Sequence, residues 1–113
     1  MASQVSGHLA HIEGDLAQAR AAFGRAIEIY RRVAYPRFLA IYLGYAGIVA
    51  REGGDLPAAS ALFEEACTTC RAHGEEQHLA IFLAHWGATL AWRGDDAAAR
   101  VRLDEARTIA AGL

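Results

Sequence analysis

The chain has 113 residues, 54% of them hydrophobic, and its 11 basic and 13 acidic side chains leave a formal net charge of −2. That length and composition provide one apolar core and exclude disorder. The near-neutral charge excludes long-range attraction to nucleic acid or anionic lipid, and no apolar run reaches the roughly 20 residues that cross a bilayer.

A first helix is expected over residues 3–13, ending at Gly14, where glycine takes a left-handed cap without a Cβ clash. Asp15 then caps a second helix running to Val33, with Gln18 three residues on as in a capping box. Its apolar face is Ala19, Ala22, Phe23, Ala26, Ile27, Tyr30 and Val33, the spacing of an amphipathic packing helix. Pro36 starts a third helix, 36–52, because proline is accepted in a first turn and drives Tyr35 out of helical conformation. Gly53, Gly54 and Asp55 repeat the stop and restart, with Pro57 in the opening turn of a fourth helix over 56–72. That helix buries Ala59, Leu62, Phe63, Ala66 and Cys70 before Gly74 ends it. A fifth helix over 75–93 and a sixth over 96–111 are separated by Gly94 and Asp95.

These signals keep a period of 40 residues. Gly7, Gly47 and Gly87 are in register, as are Gly14-Asp15, Gly54-Asp55 and Gly94-Asp95. Ala19, Ala59 and Ala99 follow, then Phe23, Phe63 and Leu103, then Ala26, Ala66 and Ala106. Repetition on this scale marks a stacked array in which each unit buries its face on the next. Small residues at the seams, Gly47 against Ala59 and Gly87 against Ala99, let antiparallel helix axes approach while Phe63 or Leu103 fills the space behind.

The pattern resembles the tetratricopeptide repeat over nearly the whole chain. The family's first-helix tryptophan, leucine, glycine and tyrosine fall on Leu43, Ala46, Gly47 and Ala50, and again on Leu83, Trp86, Gly87 and Leu90. The second-helix small, aromatic and small positions fall on Ala19, Phe23 and Ala26 and their counterparts. The period exceeds the family's usual 34 residues, and Arg31 and Arg71 stand where a closing proline is usual. The chain is therefore similar to long-helix members found in bacterial transcriptional regulators. The resemblance implies an all-α fold of about six helices in antiparallel pairs, forming a right-handed superhelical array. It also implies one domain with units 1–34, 35–74 and 75–113.

By the family's layout the first helix of each pair lines a concave groove. Its positions are Gln4, Val5, His8, His11 and Ile12; then Gly44, Tyr45, Ile48, Arg51 and Glu52; then Ala84, His85, Ala88, Ala91 and Trp92. Tyr45, Ile48, Arg51, His85, Ala88 and Trp92 are the anchor candidates for a peptide or partner helix. The alternative is a small-ligand sensor closing around an apolar molecule between Tyr45, His85 and Trp92.

Chemistry finds no foothold in the sequence. Cys67 and Cys70 form a CxxC pair inside a helix, away from the strand-to-helix amino terminus that activates a thioredoxin-like thiolate. With His73 they share one helical side, but tetrahedral zinc still needs a fourth ligand. The pairs His8/His11 and His78/His85 lack HExxH spacing, and a chain without lysine has no P-loop. No enzyme activity, cofactor or metal is expected. The expected partner is a protein or peptide, with apolar ends on the first helix (Val5, Leu9, Ile12) and the last (Val101, Leu103, Ile109, Leu113) favouring a homodimer. Without a basic-then-apolar leader the expected location is cytoplasmic.

Overall fold

The computed structural model describes residues 2–113, with side chains from residue 14 onward. Its helices are α1 (Ala2–Arg32), α2 (Pro36–Glu52), α3 (Leu56–Ala72), α4 (Glu76–Trp92) and α5 (Asp96–Ala111). No strand occurs among the described residues. Each helix packs on the next in sequence, and α2 also touches α4. Two antiparallel hairpins, α2–α3 and α4–α5, thus stand side by side with α1 laid against α2.

The hairpin turns have the same chemistry. Gly54 and Gly94 both adopt φ +86°, a left-handed conformation that removes the Cβ penalty. The Asp55 and Asp95 carboxylates then accept hydrogen bonds from the amides of Ala58 (3.1 Å) and Ala98 (3.3 Å), capping α3 and α5. The corners between hairpins also correspond, with Gly74 at φ +69° and Ala34 at φ 54°.

The break expected at Gly14 does not occur. α1 is one helix of 31 residues, so five helices stand where six were expected, and Asp15 lies within a helix instead of capping one. Gly14 does not share the positive φ of Gly54, Gly74 and Gly94. The hairpin turns are held by what packs across them: Phe63 fills the space beside Gly47, and Leu103 that beside Gly87. Their counterpart Phe23 lies 6.0 Å from both the Tyr42 and Tyr45 rings of the next helix, the second of these matching the stacking of Phe63 on His85.

At the seams the glycines admit the large side chains directly. A Cβ on Gly47 would lie 2.7 Å from the Phe63 ring. A Cβ on Gly87 would lie 2.7 Å from Leu103 and 3.2 Å from the Ala99 carbonyl. Gly44 does the same between hairpins, since any Cβ there would clash with the Phe82 ring of α4 at 2.2 Å. Around these joints Leu43, Phe82, Leu83, Cys67 and Cys70 form one core cluster and Ala50, Ala59 and Phe63 a second. Burying a side chain the size of Phe63 contributes about 1.5–3 kcal/mol.

Two ion pairs tie successive outer helices together. Arg31 of α1 holds Glu65 of α3, and forty residues on, Arg71 of α3 holds Glu105 of α5 through bonds of 2.7 and 3.1 Å. Both are two-pronged and about half exposed, the class worth up to about 1 kcal/mol each.

Candidate functional site

α2 and α4 are the first helices of their hairpins and touch each other, so their free faces form one surface. Arg51 lies in the last turn of α2, where a cation complements the helix dipole. It reaches across to α4. Nη2 lies 2.9 Å from His85 Nδ1, and Nη1 donates to the His85 carbonyl at 3.3 Å. A guanidinium can only donate, so Nδ1 accepts and the ring proton of neutral His85 sits on Nε2. The imidazole stacks on Phe63 of α3, centroids 5.8 Å apart and planes 12° from parallel.

Trp92 completes the group. The Arg51 guanidinium lies 5.6 Å from the indole centroid on one side and 5.8 Å from Phe63 on another. Each such contact contributes about 0.5–1 kcal/mol near a surface. Trp92 itself is 67% exposed. Burial first, and then the Arg51 charge, lower the pKa of His85 from its ordinary 6.5. At neutral pH the imidazole is uncharged, which keeps it an acceptor for Arg51.

Of the six expected anchors, Arg51, His85 and Trp92 therefore meet. Ile48 is half-buried and packs on the Ala50–Ala59–Phe63 cluster. Ala88 is half-buried beside them in α4. Tyr45 belongs to a different assembly, an aromatic ladder between α1 and α2. Tyr35 stacks on Phe38 (5.0 Å), Tyr30 on Tyr42 (5.4 Å), and Tyr45 meets the edge of Phe82. The signal for it lay in the sequence, as Phe38, Tyr42 and Tyr45 share one face of α2 at helical spacing, opposite Phe23 and Tyr30 of α1. The first-unit groove positions Gln4, Val5, His8, His11 and Ile12 lie outside the described side chains. Two surface grooves, of about 580 and 470 Å³, lie at the two corners, beside Tyr35 and His73 and beside Gly74 and Glu105 respectively.

Residues 1–72 match the sequence profile of the tetratricopeptide repeat. The chain belongs to the tetratricopeptide repeat family. No characterised protein and no solved structure gives a significant match. Repeats of this family are non-catalytic scaffolds. Beyond the matched span, α4 and α5 reproduce the repeat contacts of α2 and α3: the glycine joint, the Gly-Asp turn and the arginine–glutamate tie.

The repeat's two cysteines are interior packing. Cys67 and Cys70 are unpaired and buried, and burial pushes their thiols up to about 12 and about 11. Neither supplies a thiolate at neutral pH. His73 is set apart at the end of α3, in the corner groove. Among the described residues no three His, Cys, Asp or Glu side chains are placed to hold a metal ion. No helix there is long and apolar enough to cross a membrane.

Proposed function

We propose that this repeat module binds a peptide or partner helix on the face shared by α2 and α4, with Arg51, His85 and Trp92 as its anchor. The observation that carries the reading is Trp92, an indole left mostly in water yet held in place by a guanidinium that is itself tied to His85. Aromatic and arginine side chains in a pre-formed arrangement lose little entropy on binding and dominate interface energetics. The proposed setting is the cytoplasm, where the unpaired thiols of Cys67 and Cys70 stay reduced.

The test is a displayed library of helical and extended peptides selected against the wild-type chain. Trp92→Ala and Arg51→Ala should each weaken the selected peptides by tenfold or more, with helicity by circular dichroism unchanged. Peptides that bind both variants as tightly as wild type would remove the anchor from this face.

A further inference from the structure

α1 carries the same anchor residues as α3 and α5, but its anchors are not covered in the same way. Ala59, Phe63 and Ala66 are all buried in α3, and Ala99 and Ala106 in α5 on either side of a Leu103 that is 36% exposed, whereas in α1 none of Ala19, Phe23 and Ala26 is buried. In α3 and α5 the cover is the helix that comes just before in the chain: α2 lies on α3, and α4 on α5. For α1 the corresponding stretch is residues 2–13, whose Gly7 is in register with Gly47 and Gly87, the glycines seated on Phe63 and Leu103.

That stretch does not reach its own α1. The helix is unbroken from Ala2 to Arg32, and a straight helix cannot lie along itself. At 1.5 Å per residue, Gly7 stands about 24 Å from Phe23 along the axis. The flank left uncovered continues through Ile29 and Val33, which are 55% and 58% exposed. At the position of Ile29, Ile109 of α5 packs against the main core cluster; at that of Val33, His73 and Leu113 are exposed as Val33 is.

We propose that this flank of α1 is the seat of residues 2–13 of a second copy, exchanged reciprocally, so that each α1 is covered by its partner as α3 is covered by α2. The unbroken α1 selects the second chain over the same chain. A two-fold exchange closes both flanks at once and uses a contact type already present in the hairpins. It also moves the seam away from α5, where Ile109 packs inward and Arg100 and Arg107 occupy the positions at which α3 buries Ser60 and Cys67. The proposal stands independently of the Arg51–His85–Trp92 face.

Light scattering on the 113-residue chain should return twice the 12.1 kDa chain mass. Ile29→Asp with Val33→Asp should halve that mass while leaving the far-ultraviolet spectrum unchanged. If that variant fails to fold, inserting Gly-Ser-Gly after Gly14 replaces it, because a flexible joint lets residues 2–13 turn back and should convert dimer to monomer. Exchange itself is read by mixing two chains of different mass, one Ser6→Cys and one Ala22→Cys, with a short bis-maleimide. Within an unbroken helix these sites are also about 24 Å apart, beyond its reach. A product joining heavy and light chains is expected. A persistent monomer, a link formed within one chain carrying both cysteines, or a dimer that survives both disruptions without an inter-chain link would each overturn the proposal.

Discussion

The α2–α3 and α4–α5 hairpins follow one plan but differ at the residue that fills the joint. Phe63 is fully buried, with helices on both sides of α3, while Leu103 at the equivalent position is 36% exposed because α5 has α4 on one side and water on the other. The buried set shrinks accordingly, from six residues in α3 to Ala99 and Ala106 in α5. The substitutions follow the exposure, with Arg100 and Arg107 standing where α3 has Ser60 and Cys67. The same turn and glycine joint therefore serve an interior position and a surface one, and the side chains around them are what adapt.

The sharpest test of that contrast is truncation at the joint. Phe63→Ala should cost about 3–5 kcal/mol, and Leu103→Ala about 1–2 because part of its surface is already in water. Urea midpoints of the two variants check this, and equal losses would erase the distinction. Next in size is overfilling. Gly47→Ala should cost about 1–3 kcal/mol because the Phe63 ring is enclosed, while Gly87→Ala should cost less because Leu103 has space to swing outward. A Gly87→Ala loss larger than that of Gly47→Ala would show that the Ala99 carbonyl, 3.2 Å from the added Cβ, sets the limit.

The two corners provide a smaller contrast. Ala34 occupies the left-handed position that Gly74 occupies forty residues later. A left-handed non-glycine residue costs about 1–2 kcal/mol, partly offset by glycine's larger unfolded-state entropy. Ala34→Gly should therefore raise the thermal midpoint, by about 0.5–1 kcal/mol of stability, and Gly74→Ala should lower it by a similar amount.

The smallest effects come from acid. His85 has a folded pKa below its ordinary 6.5, so the unfolded chain takes up this proton first. Stability is complete above about pH 6.5 and declines below it, until the lowered folded pKa is reached. Glu105, held below its ordinary 4.5 mainly by the hydrogen bond from Arg71, loses its contribution only as pH falls below that value. Urea midpoints measured from pH 7.5 to 4 should show the first slope in wild type and not in His85→Gln, which still offers Arg51 an acceptor. A slope unchanged by that substitution would assign it to another group.

The boundaries of α2, α3 and α5 were legible to the residue, and those of α4 to within one, because glycine, proline and aspartate punctuate each of them. Gly14-Asp15 carries the same punctuation, yet the helix runs through it, so a glycine and an aspartate do not make a turn by themselves. Helical spacing on α2 and α4 was enough to place Arg51, His85 and Trp92 on one surface. It did not show that Ile48 also packs on the Phe63 cluster or that Tyr45 joins the aromatic ladder, because adjacent faces differ by only a small rotation of the helix. Ties such as Arg31–Glu65 join different outer helices, so their partners appear only once the stack is assembled.

The two tryptophans stand in contrasting surroundings. Trp86 is partly buried, with the Arg102 guanidinium 4.2 Å from its ring centroid, whereas Trp92 projects into water beyond Arg51. A water-borne quencher such as iodide reaches the outer indole far more readily than the inner one. An ordinary fluorimeter can therefore separate events on the α2–α4 surface from loosening of the interior in the same sample, with no extrinsic dye attached.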